Sequence, residues 1–240
     1  MTHHRIEVDN LSFRYPDGRL ALDDVTLSVA PDEKVALIGP NGSGKTTLLL
    51  HLNGILRKQE GQISIAGMEL TERNLKPIRA SLGMVFQNPD DQLFSLRVYD
   101  DVAFGPLHMG LPENEVRARV EEALAAVGLE DYAERLSYHL SVGEKKRAAI
   151  ATVLSMNPEI LVLDEPSAGL DPHARRQLIE FLRNCRQQTM LISTHDMRLA
   201  YDLCARVVVL SGGRVVAQGP AQELLMNRDL MERYHLETAY

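Results

Sequence analysis

The chain has 240 residues, 45% of them hydrophobic, and a formal net charge of −7. That length can bury a sizeable core, as one large domain or two small ones. The acidic balance argues against nucleic-acid binding as the main task, which calls for a basic surface.

In chain order, RIEVDNLSFRY (5–15) alternates apolar and polar residues, first at Ile6 and Val8, then at Leu11, Phe13 and Tyr15. Period-two alternation predicts a strand. The turn signal PDG (16–18) precedes a second alternating run, LALDDVTLSV (20–29), so a hairpin or meander opens the chain. KVALIG (34–39) reads as a buried strand ending at a glycine, and QISIAG (62–67) and LGMVFQ (82–87) as further short strands. The texture then changes. Val116, Val120, Leu124 and Val127 recur at three- and four-residue steps among charges, which predicts an amphipathic helix. SVGEKKRAAIATVLSM (141–156) reads as a second long helix capped by Ser141. Strand ILVLDE, helix PHARRQLIEFLRN, strand TMLIST and helix MRLAYDLC follow, and RVVVLSGGRVVAQG closes as a hairpin on Gly212 and Gly213. Alternating strands and helices imply a parallel sheet, flanked by antiparallel elements at both ends of the chain. A helix-rich stretch of roughly 98–157 interrupts this alternation and is read as an inserted helical subdomain.

No apolar run reaches the roughly 18 residues of a membrane span. MTHHRIEVDN lacks the apolar core of a signal peptide, and His3 and His4 are a leader scar or chance, two being too few to decide. Cys185 and Cys204 stand alone, which suits a reducing compartment. The eight histidines show no metal-ligand spacing. Lys145, Lys146 and Arg147 form a basic run that reads as a solvated helix face, with nucleic-acid contact as the other possibility.

GPNGSGKT fits G-x-x-x-x-G-K-[ST] and sits between a strand and a helical pattern. Gly39, Pro40, Asn41, Gly42, Ser43 and Gly44 make a loop whose backbone N–H groups can close around phosphates. Thr47 lies just inside the helix that follows. Lys45 can reach the β- and γ-phosphates and Thr46 can ligate Mg²⁺. ILVLDEP (160–166) ends a buried strand with Asp164, where ligands lie in an open α/β sheet and where the carboxylate can hold a Mg²⁺ hydration shell. Glu165 projects beyond the strand end, placed either to polarise an attacking water or merely to cap the loop. His195 follows another apolar strand. It is either structural or placed to reach the same γ-phosphate.

Together these motifs resemble the nucleotide-binding subunit of ATP-binding cassette (ABC) transporters over nearly the whole chain. The resemblance implies a P-loop NTPase core with a mainly parallel sheet, an N-terminal antiparallel β subdomain and the inserted helices, all in one ATPase domain (1–240). It makes Tyr15 the aromatic that stacks on adenine and Gln87 the glutamine that senses Mg²⁺ and the membrane partner. LSVGE (140–144) becomes the signature that closes over ATP held by a second subunit, with Ser141 giving a hydroxyl and Gly143 a backbone N–H. SAGLD (167–171) supplies Asp171, and His195 is the switch histidine. Two positions depart from the usual LSGGQ: Val142 adds a side chain, and Glu144 adds a charge that is unwelcome unless it faces lysine or solvent.

QNPDDQLF (87–94) sets Asp90 and Asp91 beside Leu93 and Phe94. It is similar to the segment after the glutamine loop in energy-coupling-factor (ECF) ATPases, as are DDVAFGPLHMGLP and GEKKRAAIA. The resemblance implies that the apolar pair meets a transmembrane coupling component while the acids meet its arginines; the other reading is a solvated acidic edge. It also implies ATP and Mg²⁺ as cofactors, a dimer of this chain with itself or a paralogue, a membrane component that binds the substrate, and a place at the cytoplasmic face of the membrane. The substrate leans towards cobalt or nickel, with a vitamin such as biotin as the alternative. A soluble ABC ATPase unconnected to transport would need a coiled-coil insert or two cassettes. A non-catalytic cassette would not keep Lys45, Asp164, Glu165 and His195.

Overall fold

A computed structural model describes residues 5–187 and 189–240. His3 and His4 lie outside the described residues.

Two sheets organise the chain. The first is antiparallel, in the order β2–β1–β4–β5, from β1 (Ile6–Arg14), β2 (Leu20–Val29), β4 (Glu60–Ile65) and β5 (Met68–Glu69). The break of phase between Val8 and Leu11 is a bulge. Asn10 takes φ 51° and Asp24, in the paired strand, φ 57°. Asn10 Nδ2 donates to Asp24 Oδ1 at 2.7 Å, and the pairing register shifts there. One extra residue on each strand returns Leu11 and Phe13 to the buried face.

The second sheet runs β10–β9–β3–β8–β7–β6, from β3 (Lys34–Ile38), β6 (Leu82–Val85), β7 (Ile160–Asp164), β8 (Thr189–Ser193), β9 (Arg206–Ser211) and β10 (Arg214–Pro220). It is parallel except for the β9–β10 hairpin. Both faces are covered, so the strands read as continuous apolar runs. Alternate residues serve two cores. Val35, Leu37, Ile160 and Val162 face the first sheet, α1 (Lys45–Leu52) and α2 (Leu75–Ser81), while Ala36, Ile38, Leu161 and Leu163 face the remaining helices.

Those helices include α3 (Val98–His108), α4 (Glu113–Ala126) and α5 (Val142–Leu154), which pack on one another between β6 and β7 in sequence. α6 (Pro172–Asn184), α7 (Met197–Leu203), α8 (Ala221–Leu224) and α9 (Arg228–Arg233) follow. α3 carries no clean sequence signal because Gly105 and Pro106 punctuate it. Tertiary contacts sustain it. Pro106 cannot donate to the Val102 carbonyl, and Ser155 Oγ donates to that carbonyl instead at 2.7 Å. A Cβ on Gly105 would lie 2.4 Å from Met156 Cγ, so glycine lets α3 approach the end of α5.

Candidate functional site

The strand order brings four motifs to one edge. β8 lies between β3 and β7, so the loop after β3 and the acids after β7 meet across the C-terminal end of β8. Gly39–Gly44 forms the turn between β3 and α1. A Cβ on Gly39 would lie 2.0 Å from the Leu210 carbonyl oxygen, and one on Gly44 2.6 Å from that of Ala21. The loop is therefore clamped against β9 and β2 by backbone contact. Gly44 caps α1 without a side-chain acceptor, which leaves the first-turn N–H groups for an anion.

A cavity of about 240 Å³ opens over this loop. Asn41, Gly42, Ser43, Lys45, Thr46, Thr47, Tyr15, Gln87, Asp164 and Glu165 all line it. The sequence motifs for one nucleotide thus converge on one space. Lys45 Nζ donates to the Gly39 carbonyl at 2.8 Å and to that of Pro40 at 3.3 Å. Burial pushes its ammonium down, against the pull of Glu165 and Asp164.

Thr46 Oγ1 donates to Asp164 Oδ2 at 2.7 Å, and Asp164 Oδ1 is buried without a hydrogen-bond partner. A hydroxyl beside a half-satisfied buried carboxylate is an all-oxygen set, which fits Mg²⁺. Glu165 is buried and takes φ 48°, a conformation that turns the chain off the strand. Its Oε2 accepts from the backbone N–H of His195 at 3.2 Å and from His195 Nδ1 at 2.7 Å. The acid lines the cavity, while the exposed histidine is not among its lining residues; the two form one unit, the geometry of a general base held by a second group.

The signature lies elsewhere. Ser141, Gly143, Glu144 and Asp171 do not line the cavity. Val142 is exposed beside Gly169, and Gly143 neighbours Leu170, so the signature and SAGLD share one surface. Glu144 needs neither lysine nor open water. Its carboxylate accepts from the Tyr132 hydroxyl at 2.7 Å and from Ser141 N at 2.8 Å, and Ser141 Oγ accepts from Glu144 N, completing a capping box. These bonds, Tyr132's foremost, lower the Glu144 carboxyl from 4.5 to about 2. Asp171 caps α6, accepting from His173 N and Ala174 N.

Two expectations change. Leu93 is 8% exposed and sits in the chain's own core, while Phe94 is 66% exposed. Pro89–Asp91 forms a single tight helical turn that points Leu93 inward. Asp90 is held by Lys145 at 2.6 Å, and Asp91 is exposed. The basic run is not a solvated face, because Lys146 is only 7% exposed. The sequence reading also missed Arg19, whose guanidinium lies 4.9 Å from the Tyr15 ring centroid at the cavity edge. It missed the paired Arg175 and Asp196 that tie α6 to the start of α7, with Arg175 Nη2 2.6 Å from Asp196 Oδ1. Burial raises the Asp196 carboxyl, but Arg175, the Leu199 N–H and Ser167 together outweigh it and the net shift is downward.

A phosphate-binding loop on a parallel sheet, a Thr–Asp oxygen pair and a buried Glu–His unit define a P-loop nucleotide hydrolase. The ABC transporter family model matches residues 22–168, and the chain belongs to that family. An ABC transporter ATP-binding protein of Geobacter sulfurreducens is 49% identical over 99% of this chain and 95% of its own length. The energy-coupling factor transporter ATP-binding protein EcfA of Carboxydothermus hydrogenoformans is 48% identical over 97% of this chain and 86% of its own length. CbiO1 of Clostridium perfringens, described as part of the ABC transporter complex CbiONQ, superposes with a TM-score of 0.83 at 39% identity, over 95% of this chain and 93% of its own. The chain is accordingly an ABC ATPase of the energy-coupling-factor type, similar to CbiO, whose reaction is ATP hydrolysis coupled to transport.

Proposed function

We propose that this ATPase energises uptake of a transition metal ion, cobalt or nickel, through membrane partners. The resemblance of GEKKR (143–147) to the cobalt and nickel importers supports that substrate class, with a vitamin such as biotin as the alternative. The chain is read as one domain, 1–240, with residues of roughly 98–157 as its helical subdomain. It sits peripherally at the cytoplasmic face of the membrane; no helix among the described residues is long and apolar enough to cross one.

The hydrolytic reading rests on one observation: the buried Glu165 carboxylate, held by His195, stands beside the phosphate loop. The N–H groups of Gly42–Thr47 and the Lys45 ammonium bind the phosphates, whose oxygens replace the Gly39 and Pro40 carbonyls as Lys45 partners. Tyr15 stacks on the base, with Arg19 behind it. Glu165 takes the proton of the attacking water, a role worth roughly 10²–10⁴ in rate. His195 holds that carboxylate in place and faces the γ-phosphate. Thr46 and Asp164, with Gln87 nearby, are the residues that would hold Mg²⁺. When bound, that ion neutralises charge on the phosphates.

Ser141, Gly143 and Asp171 act in a dimer, with a second copy or a paralogue. They lie away from their own chain's cavity and on one shared surface, as a contact to a nucleotide held by the other subunit requires. Glu144 positions Ser141 rather than touching the nucleotide. The transmembrane coupling component is read as meeting Gln87, Asp90, Asp91 and Phe94, without Leu93. Phe94 stacks edge-on against Phe104 at 4.9 Å, and both rings are exposed. Aromatic rings beside acids suit a partner helix carrying apolar and basic side chains.

The test is co-expression with candidate membrane partners, followed by uptake of radiolabelled cobalt and nickel. ATP-dependent uptake that disappears in Lys45→Ala is expected. Uptake of a vitamin but of neither metal would overturn the substrate assignment.

A further inference from the structure

Lys146 has no part in the chemistry above, yet it is one of the most buried charges in the chain. It lies in the second turn of α5, one residue after Lys145. Its Nζ donates to the backbone carbonyl of Glu165 at 3.0 Å and to that of Gln87 at 3.3 Å. No carboxylate side chain is among these hydrogen-bond partners. Burying an ammonium is costly unless it is paired and bonded, so this one needs a reason to be there.

The reason lies in the Glu165 backbone. Glu165 leaves β7 with φ 48°. A non-glycine residue in that region is held by its surroundings and not by its own preference. Its N–H is satisfied by the Ser193 carbonyl at 2.9 Å. Its carbonyl accepts from Lys146 and, across the turn that follows, from the Ala168 N–H at 3.1 Å. Both ends of the strained peptide are thus fixed, which aims the carboxylate at His195 and the cavity. Burial pushes the Lys146 ammonium down, and the pull of Glu165 and Asp164, the two acids at the head of β7, offsets only part of that.

The second contact reaches the glutamine loop. The segment that follows Gln87 is fastened to α5 at further points. Lys145 pairs with Asp90 at 2.6 Å. Gln92 Nε2 donates to the Ala149 carbonyl at 2.8 Å and to Thr152 Oγ1 at 2.7 Å, while its Oε1 accepts from Phe86 N. Residues 87–92 are therefore bound to α5 along their length, and Lys146 is the one side chain of that helix that also holds the Glu165 backbone.

We propose that Lys146 is a positioning residue for hydrolysis. It links the signature helix and the glutamine loop to the backbone of Glu165, so that the carboxylate is aimed only when the three segments are in register. It is not among the residues that line the cavity, and it acts through Glu165. This inference rests on the reading of Glu165 as the base.

The test uses the purified full chain with Mg-ATP and the variants Lys146→Met and Lys146→Arg. Methionine fills the same space without donating, whereas arginine keeps both charge and donors. Lys146→Met should lower kcat on the order of tenfold while KM for ATP stays within about twofold, and Lys146→Arg should recover most of that loss. In a Glu165→Gln background, Lys146→Met should change the residual rate by less than about twofold, because two residues acting as a unit are not additive. Wild-type kcat in Lys146→Met would overturn the proposal. So would an equal tenfold loss in the Glu165→Gln background, which would mark an effect independent of the carboxylate. If Lys146→Met does not fold, Lys146→Gln takes its place in both arms and keeps one donor. Full turnover in Glu165→Gln alone would instead remove the base assignment beneath the proposal.

Discussion

Replacing Glu165 by glutamine separates binding from chemistry. The two side chains have the same shape. Glutamine can turn its amide oxygen to the site of Oε2 and keep accepting from His195 N and Nδ1, now 3.2 and 2.7 Å away. The phosphate loop, Lys45 and the Thr46–Asp164 pair are untouched, so ATP affinity should stay within about threefold. The ability to take a proton is lost. A general base contributes roughly 10²–10⁴ in rate, or about 2.7–5.4 kcal/mol at about 1.36 kcal/mol per factor of ten. Phosphate release at saturating Mg-ATP, measured beside an ATP-binding isotherm, resolves the two quantities. Light scattering on the same sample should show a dimer trapped by uncleaved ATP. Turnover within about tenfold of wild type would refute Glu165 as the base, and a monomer at high protein and ATP concentration would refute the sandwich.

Lys45→Ala should abolish ATP binding or turnover, read by the same two assays, because the phosphates lose their main cation. Leu93→Ala should cost about 2–4 kcal/mol in urea unfolding, since it empties a core position. Phe94→Ala should stay within about 0.5 kcal/mol and weaken co-purification with the membrane component; the reverse pattern would restore Leu93 to the partner surface. Asp90→Asn with Asp91→Asn should leave basal ATPase near normal and weaken the same complex by about 2–5 kcal/mol, and normal pull-down would make these acids a solvated edge. Glu144→Ala should cost about 1 kcal/mol at pH 7 through loss of the capping box. The Glu144 carboxyl is depressed in the folded chain, so its contribution is full above pH 4.5 and fades as pH falls towards about 2. Unfolding of both proteins between pH 7 and pH 3 should therefore show the difference shrinking with acidity.

What the sequence by itself determined is what depends on neighbours in the chain. The loop Gly39–Thr46 was legible because its spacing is a local demand of phosphate on backbone, and Asp164 because an apolar run ended on it. The antiparallel strands at the start were legible from period two and the buried ones from short apolar runs. Tertiary structure decided the rest. α3 needed Ser155 to satisfy the carbonyl freed by Pro106, a partner about fifty residues away that no local window contains. Leu93 turned inward because one tight turn set its phase, and three residues are too few to reveal a period. Lys146 did carry a signal. It lies four and seven residues before the buried Ile150 and Val153, on the inward row of α5, but a KKR run reads as solvated when only its charge is weighed. The placement of Thr46 against Asp164 and of His195 against Glu165 came from strand order, and that of Lys146 against the Glu165 backbone from the packing of α5 on the sheet. Each is a contact between separate elements, and local spacing carries no record of which elements lie side by side.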